Sequence, residues 1–347
     1  PVLLNLSLIG CALWLAPHME QPVVALAWGV LLAGITQFVF QLPFLRQLDL
    51  LPAFRPAPKD EGVRRIMKLM LPALFAVSVV QINLLLDTML ASFLVSGSIS
   101  WLYYSDRLME FPLGVLGVAA ATVILPNLSR RHAADEPKAF SQTLDWGLRV
   151  TLLLGAPAAA GLALLAGPMI ATLFLSAVFD AHDVVMARAS LMAYSLGLLA
   201  FRSIKILAPG YYARQDTKTP VRIGVIAMVA NVVLNLMLIF PLQHAGLALA
   251  TSLAAFLNAG LLLRGLRAEG VYQPGGNWSG LLVKVLLAGS AMSLVLIFGA
   301  PSLAEWMDFG MWHKVWQLLL WIVLGAAAYL GTLLLLGVRP QDLRVQS

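Results

Sequence analysis

Trp101–Gly117 reads WLYYSDRLMEFPLGVLG, and the apolar run continues as VAAATVILP to Pro126. Asp106, Arg107, Glu110 and Pro112 interrupt a segment that is otherwise that of a membrane-crossing helix. At about 100° per residue, Asp106 and Glu110 lie about 40° apart, with Arg107 about 60° from Glu110. The three charges therefore share one helix face with Tyr103, Gly114, Gly117 and Ala121. An ionisable side chain facing lipid costs ~2.5 kcal/mol or more, so such a face belongs against a bundle interior or a watery cavity. Pro112 cannot donate to the carbonyl of Leu108, which predicts a bend just past the charges.

The rest of the chain supplies the lipid context. Of 347 residues, 60% are hydrophobic and 12% charged, with a mean hydropathy of +0.85. Soluble domains carry about 25% charged residues. Apolar runs of about 20 residues recur throughout, long enough to cross a ~30 Å hydrocarbon core as helix. Lipid satisfies no open backbone groups, so these runs must be helices. The expected fold is an all-α polytopic membrane protein with about ten spans, near 1–16, 22–44, 66–95, 99–128, 142–166, 184–209, 220–241, 245–265, 278–299 and 314–337. The stretch 168–179 is too short to cross and is expected to extend or re-enter beside the fifth span. The chain starts without Met inside a hydrophobic run, PVLLNLSLIG, and is expected to lack its beginning.

Charge placement orients the spans. Loops on one side hold Arg46, Arg55, Lys59, Arg64, Arg65, Arg130, Arg131, Lys138, Arg214, Lys218, Arg264 and Arg267, and the tail on that side adds Arg339 and Arg344. The opposite loops hold only Lys314. This bias puts the basic loops and the C-terminus in the cytoplasm. It also accounts for the net charge of +6 as topology and excludes nucleic acid as a partner. Cys11 is the only cysteine, so there is no intrachain disulfide or cysteine metal cluster.

An internal repeat divides the chain. LLNLSLIG followed by VVALAWGVLLAG near the start is answered by VLNLMLIF followed by GLALATSLAAFLNAG, with Asn5 matching Asn235. The expected organisation is residues 1–45 closing one lobe, a cytoplasmic linker at 46–65, a six-helix lobe over 66–268 and an extra helix pair over 278–338. Two facing lobes with a site between them are a common transporter plan.

Chemistry concentrates in few places. Arg107, steadied by Asp106 and Glu110 and joined by Tyr103, is suited to phosphate, because the guanidinium fork matches phosphate oxygens; a purely structural ion pair is the plainer reading. Asp87, Asn231, Asn235 and Thr251 offer oxygens to a monovalent cation, or simply bond helices together. Arg202 and Lys205, toward the cytoplasmic end of their span, either snorkel or line a cytoplasmic gate. FDAHD (179–183) puts Asp180, His182 and Asp183 in an outer loop, where solvation is the ordinary reading and no metal is expected. The chain contains no phosphate loop, HExxH or GxSxG, so no enzyme is expected.

SWLYYSDRLMEFPLGVLGVAAATVILPNLSR and LAPGYYARQDTKTPVRI resemble the MurJ (MviN) family of bacterial lipid II flippases, in the multidrug/oligosaccharidyl-lipid/polysaccharide exporter superfamily. The resemblance runs from PVLLNLSLIG to the tail. It implies a fourteen-helix, two-lobe plan of which this chain would hold helices five to fourteen. It further implies translocation of the undecaprenyl-diphosphate peptidoglycan precursor from the cytoplasmic to the periplasmic leaflet of the inner membrane by alternating access. Arg107 would help hold the diphosphate, the last two spans would line a groove for the isoprenoid tail, and Asp87, Asn231, Asn235 and Thr251 would fall where some members bind sodium. The partners implied are lipid II, the bilayer and other cell-wall synthesis proteins. No cofactor is implied, and the driving force stays open between a coupling cation, sodium or proton, and the membrane potential. The rival readings are a cation-coupled drug antiporter of the same superfamily, and a polyprenyl-dependent glycosyltransferase using FDAHD.

Overall fold

The computed structural model describes residues 2–49 and 60–338, without the side chains of 65, 68, 69, 71–80 and 115–123. Much of the expected inter-lobe linker, with Arg55 and Lys59, and the tail arginines Arg339 and Arg344 lie outside the described residues, as do the side chains of Arg65 and Ala121 and the surroundings of Gly117. All regular structure among the described residues is helical. In order, the α-helices are α1 (Val2–Gly10), α2 (Pro22–Gln47), α3 (Glu61–Ser92), α4 (Ser98–Ala133), α5 (Pro137–Leu164), α6 (Ala166–Leu173), α7 (Ala181–Tyr212), α8 (Lys218–Ala268), α9 (Trp278–Gly299), α10 (Leu303–Asp308) and α11 (Met311–Leu335).

Two compact units divide at Leu71/Pro72, inside α3. In the first, α1 runs through a π turn (Cys11–Leu15) and a 3-10 turn (Ala16–His18) before α2 returns against it. Pro17 ends the first helix, and Pro22 opens α2 at a position whose N–H has no helical partner anyway. Ala25, Gly29 and Ala33 make one buried stripe on α2, and Gly29 lies against Leu8 and Cys11. Small side chains let the two backbones approach where lipid supplies no hydrophobic drive.

In the second unit α7 is the central helix, packed on α4, α5, α6 and α8. Asp180 caps it: its carboxylate accepts from the backbone N–H groups of His182 and Asp183, and Asp183 reciprocates. Gly197 brings α7 onto α8, where an added Cβ would sit 2.6 Å from Ser252 Oγ and 2.8 Å from its Cα. Tyr211 Oη donates to the Leu262 carbonyl at 2.8 Å, closing the far end of the same pair. α9 and α11 form a separate pair, held to α5 through Tyr329 Oη, which donates to the Leu153 carbonyl. Outward stripes such as Val229, Val233, Met237 and Phe240 stay exposed, as a hydrocarbon solvent requires.

The turn into α9 is fastened by one carboxylate. Asp145 on α5 accepts from Tyr272 Oη and Trp278 Nε1 at 2.8 Å each, from Gly275 N–H at 3.3 Å and from Arg149 Nε at 2.6 Å. Arg149 also donates to the Gly275 carbonyl and lies 5.3 Å from the Trp278 ring centroid. Burial, and then the neighbouring Asp145, push the Tyr272 phenol well above its ordinary range. It therefore remains a donor at any physiological pH.

The structure corrects the expected number of spans. Among the described residues six helices are long and apolar enough to cross a membrane: α2, α5, α7, α8, α9 and α11. The ten-span reading, and the fourteen-helix plan it served, do not stand on that measure. The first expected span is instead a shorter apolar run, Val2–His18, broken into three helix types. In α4 the charged trio interrupts the apolar run, and the side chains of 115–123 in α4 and of 71–80 in α3 are not described. The seventh and eighth expected spans are the two arms of α8, divided by a kink at Gln243 (φ 51°, ψ −130°) between them. There the two arms meet so closely that a Cβ on Gly246 would overlap the Leu238 carbonyl. The short 168–179 stretch is α6 and the turn after it.

Replacing Gly197 with Leu should cost about 2 kcal/mol or more by overpacking the α7–α8 contact. Gly224→Ala, with nothing within 4 Å of its Cβ, should be neutral; thermal midpoints in detergent compare the two. Asp145→Ala should cost about 3 kcal/mol or more, because it strands Arg149 and two ring donors. Limited proteolysis at 270–277 should then accelerate.

Candidate functional site

On α4 the wheel separates two surfaces. Leu102, Ser105, Leu108 and Met109 are buried, with Ser105 Oγ donating to the carbonyls of Trp101 and Ala187. Tyr103, Arg107, Glu110 and Phe111 are exposed. Arg107 Nη1 donates to Glu110 Oε2 at 2.6 Å, with both side chains about half exposed at 52% and 53%. The guanidinium lies 5.1 Å from the Tyr103 ring centroid, a cation–π distance. The structure thus brings together Tyr103, Arg107 and Glu110. Asp106 is half-buried on the same face, and among the described residues Arg107 pairs with Glu110, not with it. α4 continues as helix through Pro112 and Pro126.

An exposed pair like this is worth only ~0–1 kcal/mol to the fold. Its donors are therefore not committed to stability. Phosphate oxygens could replace Glu110 on the guanidinium at little structural cost.

One turn further along α4, the surface becomes apolar. Phe111 and Pro112 border a cavity of about 410 Å³ that runs between α5 (Pro157, Gly161) and the α9–α11 pair (Met292, Trp321, Gly325). Charged and hydrocarbon-lined surfaces are adjacent on one helix.

The second polar set is a continuous network. Asp87 Oδ1 accepts from Asn235 Nδ2 at 2.6 Å, and Asp87 Oδ2 accepts from Asn83 Nδ2 at 3.4 Å and Thr251 Oγ1 at 3.5 Å. Asn235 Nδ2 also donates to Asn231 Oδ1 at 3.0 Å, and Asn231 Nδ2 to Thr251 Oγ1 at 3.2 Å. Asn231 and Asn235 are buried, at 2% and 0% exposure. The carbonyl oxygens of Asn83 and Asn235 are buried without a hydrogen-bond donor. Asn83 was not singled out in the sequence. Its place four residues before Asp87, on one helix face, was the available signal.

Arg202 and Lys205 are separated by their surroundings. Lys205 is exposed, whereas Arg202 is buried beside Gly155 of α5, with Nη1 lacking a partner. The FDAHD acids are structural: Asp180 and Asp183 cap α7, and Asp183 also accepts from Trp101 Nε1 at 2.7 Å. His182 stands edge-on to the Trp101 ring. No cluster of metal-ligating side chains occurs among the described residues.

Comparison with known proteins bears on the family and the fold. The family model described as "Lipid II flippase MurJ" matches residues 1–315. A probable lipid II flippase MurJ of Vibrio cholerae serotype O1 is 52% identical over 344 residues, covering 99% of this chain and 66% of that protein. One of Haemophilus influenzae is 53% identical over 349 residues, covering 99% of this chain and 68% of that protein. Among solved structures, "Lipid II flippase MurJ, inward closed conformation" superposes with a TM-score of 0.75 at 25% identity, covering 95% of this chain and 65% of that one. The chain thus spans about two thirds of the length of the proteins it matches. It is a multi-pass inner-membrane protein, and it belongs to the MurJ lipid II flippase family.

Proposed function

We propose that this chain moves lipid II, an undecaprenyl-diphosphate peptidoglycan precursor, across the inner membrane by alternating access, with Arg107 holding the diphosphate. One observation carries this reading: the half-exposed Arg107–Glu110 pair lies one helical turn from the apolar cavity at Phe111 and Pro112. A polar head and a long hydrocarbon tail need such neighbouring surfaces, since the head cannot cross hydrocarbon cheaply while the tail can remain in it. In this reading Glu110 occupies the guanidinium until substrate arrives and takes it back on release. Tyr103 limits the guanidinium's swing, and Asp106 keeps the local field from trapping the anion. The cavity between α5 and the α9–α11 pair takes the segment of tail next to the diphosphate.

Basic loops facing the cytoplasm put the C-terminus there as well. Exposed Lys205 then serves as the cytoplasmic gate residue, with Arg202 behind it inside the bundle. Residues 1–45 belong to one rocking half and 66–268 to the other. The Asp87 network supplies a coupling monovalent cation site: one carboxylate, a hydroxyl and two carbonyl oxygens without donors are hard ligands of the right kind. The FDAHD carboxylates are engaged in capping, which favours transport over glycosyl transfer.

In the intact protein, Arg107→Ala should lower translocation about 100-fold or more, the loss expected when a charged hydrogen-bonding partner of a buried anion is removed. Insertion and thermal midpoint should change little. Arg107→Lys should recover only a small part, because the bidentate fork is lost. Normal precursor export by cells depending on either variant would refute the diphosphate assignment. Asp87→Asn should preserve the fold and abolish any stimulation of transport by sodium over potassium; unchanged stimulation would refute the cation assignment.

A further inference from the structure

A cavity of about 340 Å³ lies inside the second unit, away from the charged face of α4. Its inner end is polar, formed by Asn83, Asn231 and Thr251, the residues that hydrogen-bond around Asp87. Its other end is at Tyr212 and Val221, in the last turn of α7 and the first of α8, where the chain emerges into the basic turn that carries Arg214 and Lys218. From Val221 to Asn231 is about 15 Å of helix, half the thickness of a hydrocarbon core. Small residues at 208, 224, 227, 254 and 255, on α7 and both arms of α8, keep the slot open along this length. No carboxylate, lysine or arginine lines it among the described residues. Phe201, Ile204, Met228 and Leu262 add to its wall, so polar partners are concentrated at the inner end.

These features describe a slot that leads from the basic turn to the polar residues around Asp87. An ion inside it would meet neutral walls until the carboxylate of Asp87, reached through Asn83 and Thr251. Weakly interacting walls with one charged terminus let a cation enter and leave without a trap on the way. Tyr103, Arg107 and Glu110 take no part in the lining. We propose that this slot between α7 and the two arms of α8 is the route by which a monovalent cation passes between the basic-loop side and Asp87, separate from the path of the lipid headgroup. The inference rests on the reading of the Asp87 network as a cation site.

Gly224 is the place to test it, because nothing lies within 4 Å of a Cβ there. In the intact protein with Cys11 replaced by Ala, Gly224→Cys should react with a charged, membrane-impermeant methanethiosulfonate from the basic-loop face only. Sealed vesicles of both orientations provide the comparison, and Ala208→Cys on the facing helix is a second position. Modification should slow sodium binding and release about 10-fold while leaving equilibrium affinity within about 2-fold, since a plug changes rates in both directions alike. Reaction only from the opposite face, no reaction from either, or unchanged sodium kinetics after full modification would overturn the route. Asp87→Asn separates the two levels. Loss of sodium binding in that variant with unaltered kinetics in the plugged protein sinks the route alone. Undiminished sodium binding in Asp87→Asn removes the site itself and the route with it.

Discussion

Hydrocarbon offers no hydrogen bonds, and each polar group carried into it must bring its own partner or reach water. The helical backbone meets this demand by itself; the side chains meet it in two distinct ways. Asp87 is surrounded by amide and hydroxyl donors from three helical segments, a closed arrangement that satisfies the carboxylate in place. Arg107 and Glu110 satisfy each other while half exposed, an open arrangement that leaves both able to exchange partners.

Packing follows the same constraint. Hydrophobic burial gives little drive between helices already in lipid, so close backbone approach and interhelical hydrogen bonds carry the association. Gly197 against Ser252, Tyr211 to the Leu262 carbonyl and Tyr329 to the Leu153 carbonyl are three such devices, each joining a different stretch of the second unit. In the first unit the Ala25–Gly29–Ala33 stripe does the equivalent.

The helical membrane class was legible because run length and charge depletion act locally. So was the charged face of α4, since 3.6-residue periodicity alone puts Tyr103, Arg107 and Glu110 together. The partner of Arg107 was half legible: spacing allowed either acid, and only the burial of the neighbouring face leaves Asp106 turned partly inward. The polar network was legible in part, because Asn231 and Asn235 announce themselves on one helix, while their link to Asp87 spans 148 residues and is set by tertiary packing. Helix count failed where local signals mislead. The first run proved to be a short apolar stretch of three helix types, and the charged trio interrupts the apolar run of α4, whereas the break inside α8 falls at Gln243, between the two expected spans. The acids of FDAHD, in sequence read as solvated loop carboxylates, form a helix cap tied to Trp101.

The Asp145 fastening has a mechanical corollary. With four donors converging on one carboxylate at the turn into α9, and Tyr329 pinning the far helix to α5, the terminal pair is bolted to its neighbour at two heights. Such a pair is anchored to α5 at both levels instead of hanging from a single hinge. Two walls of the oily recess beside Phe111, α5 and the terminal pair, are therefore riveted to each other, and its shape is set by fixed hydrogen bonds as much as by side-chain packing.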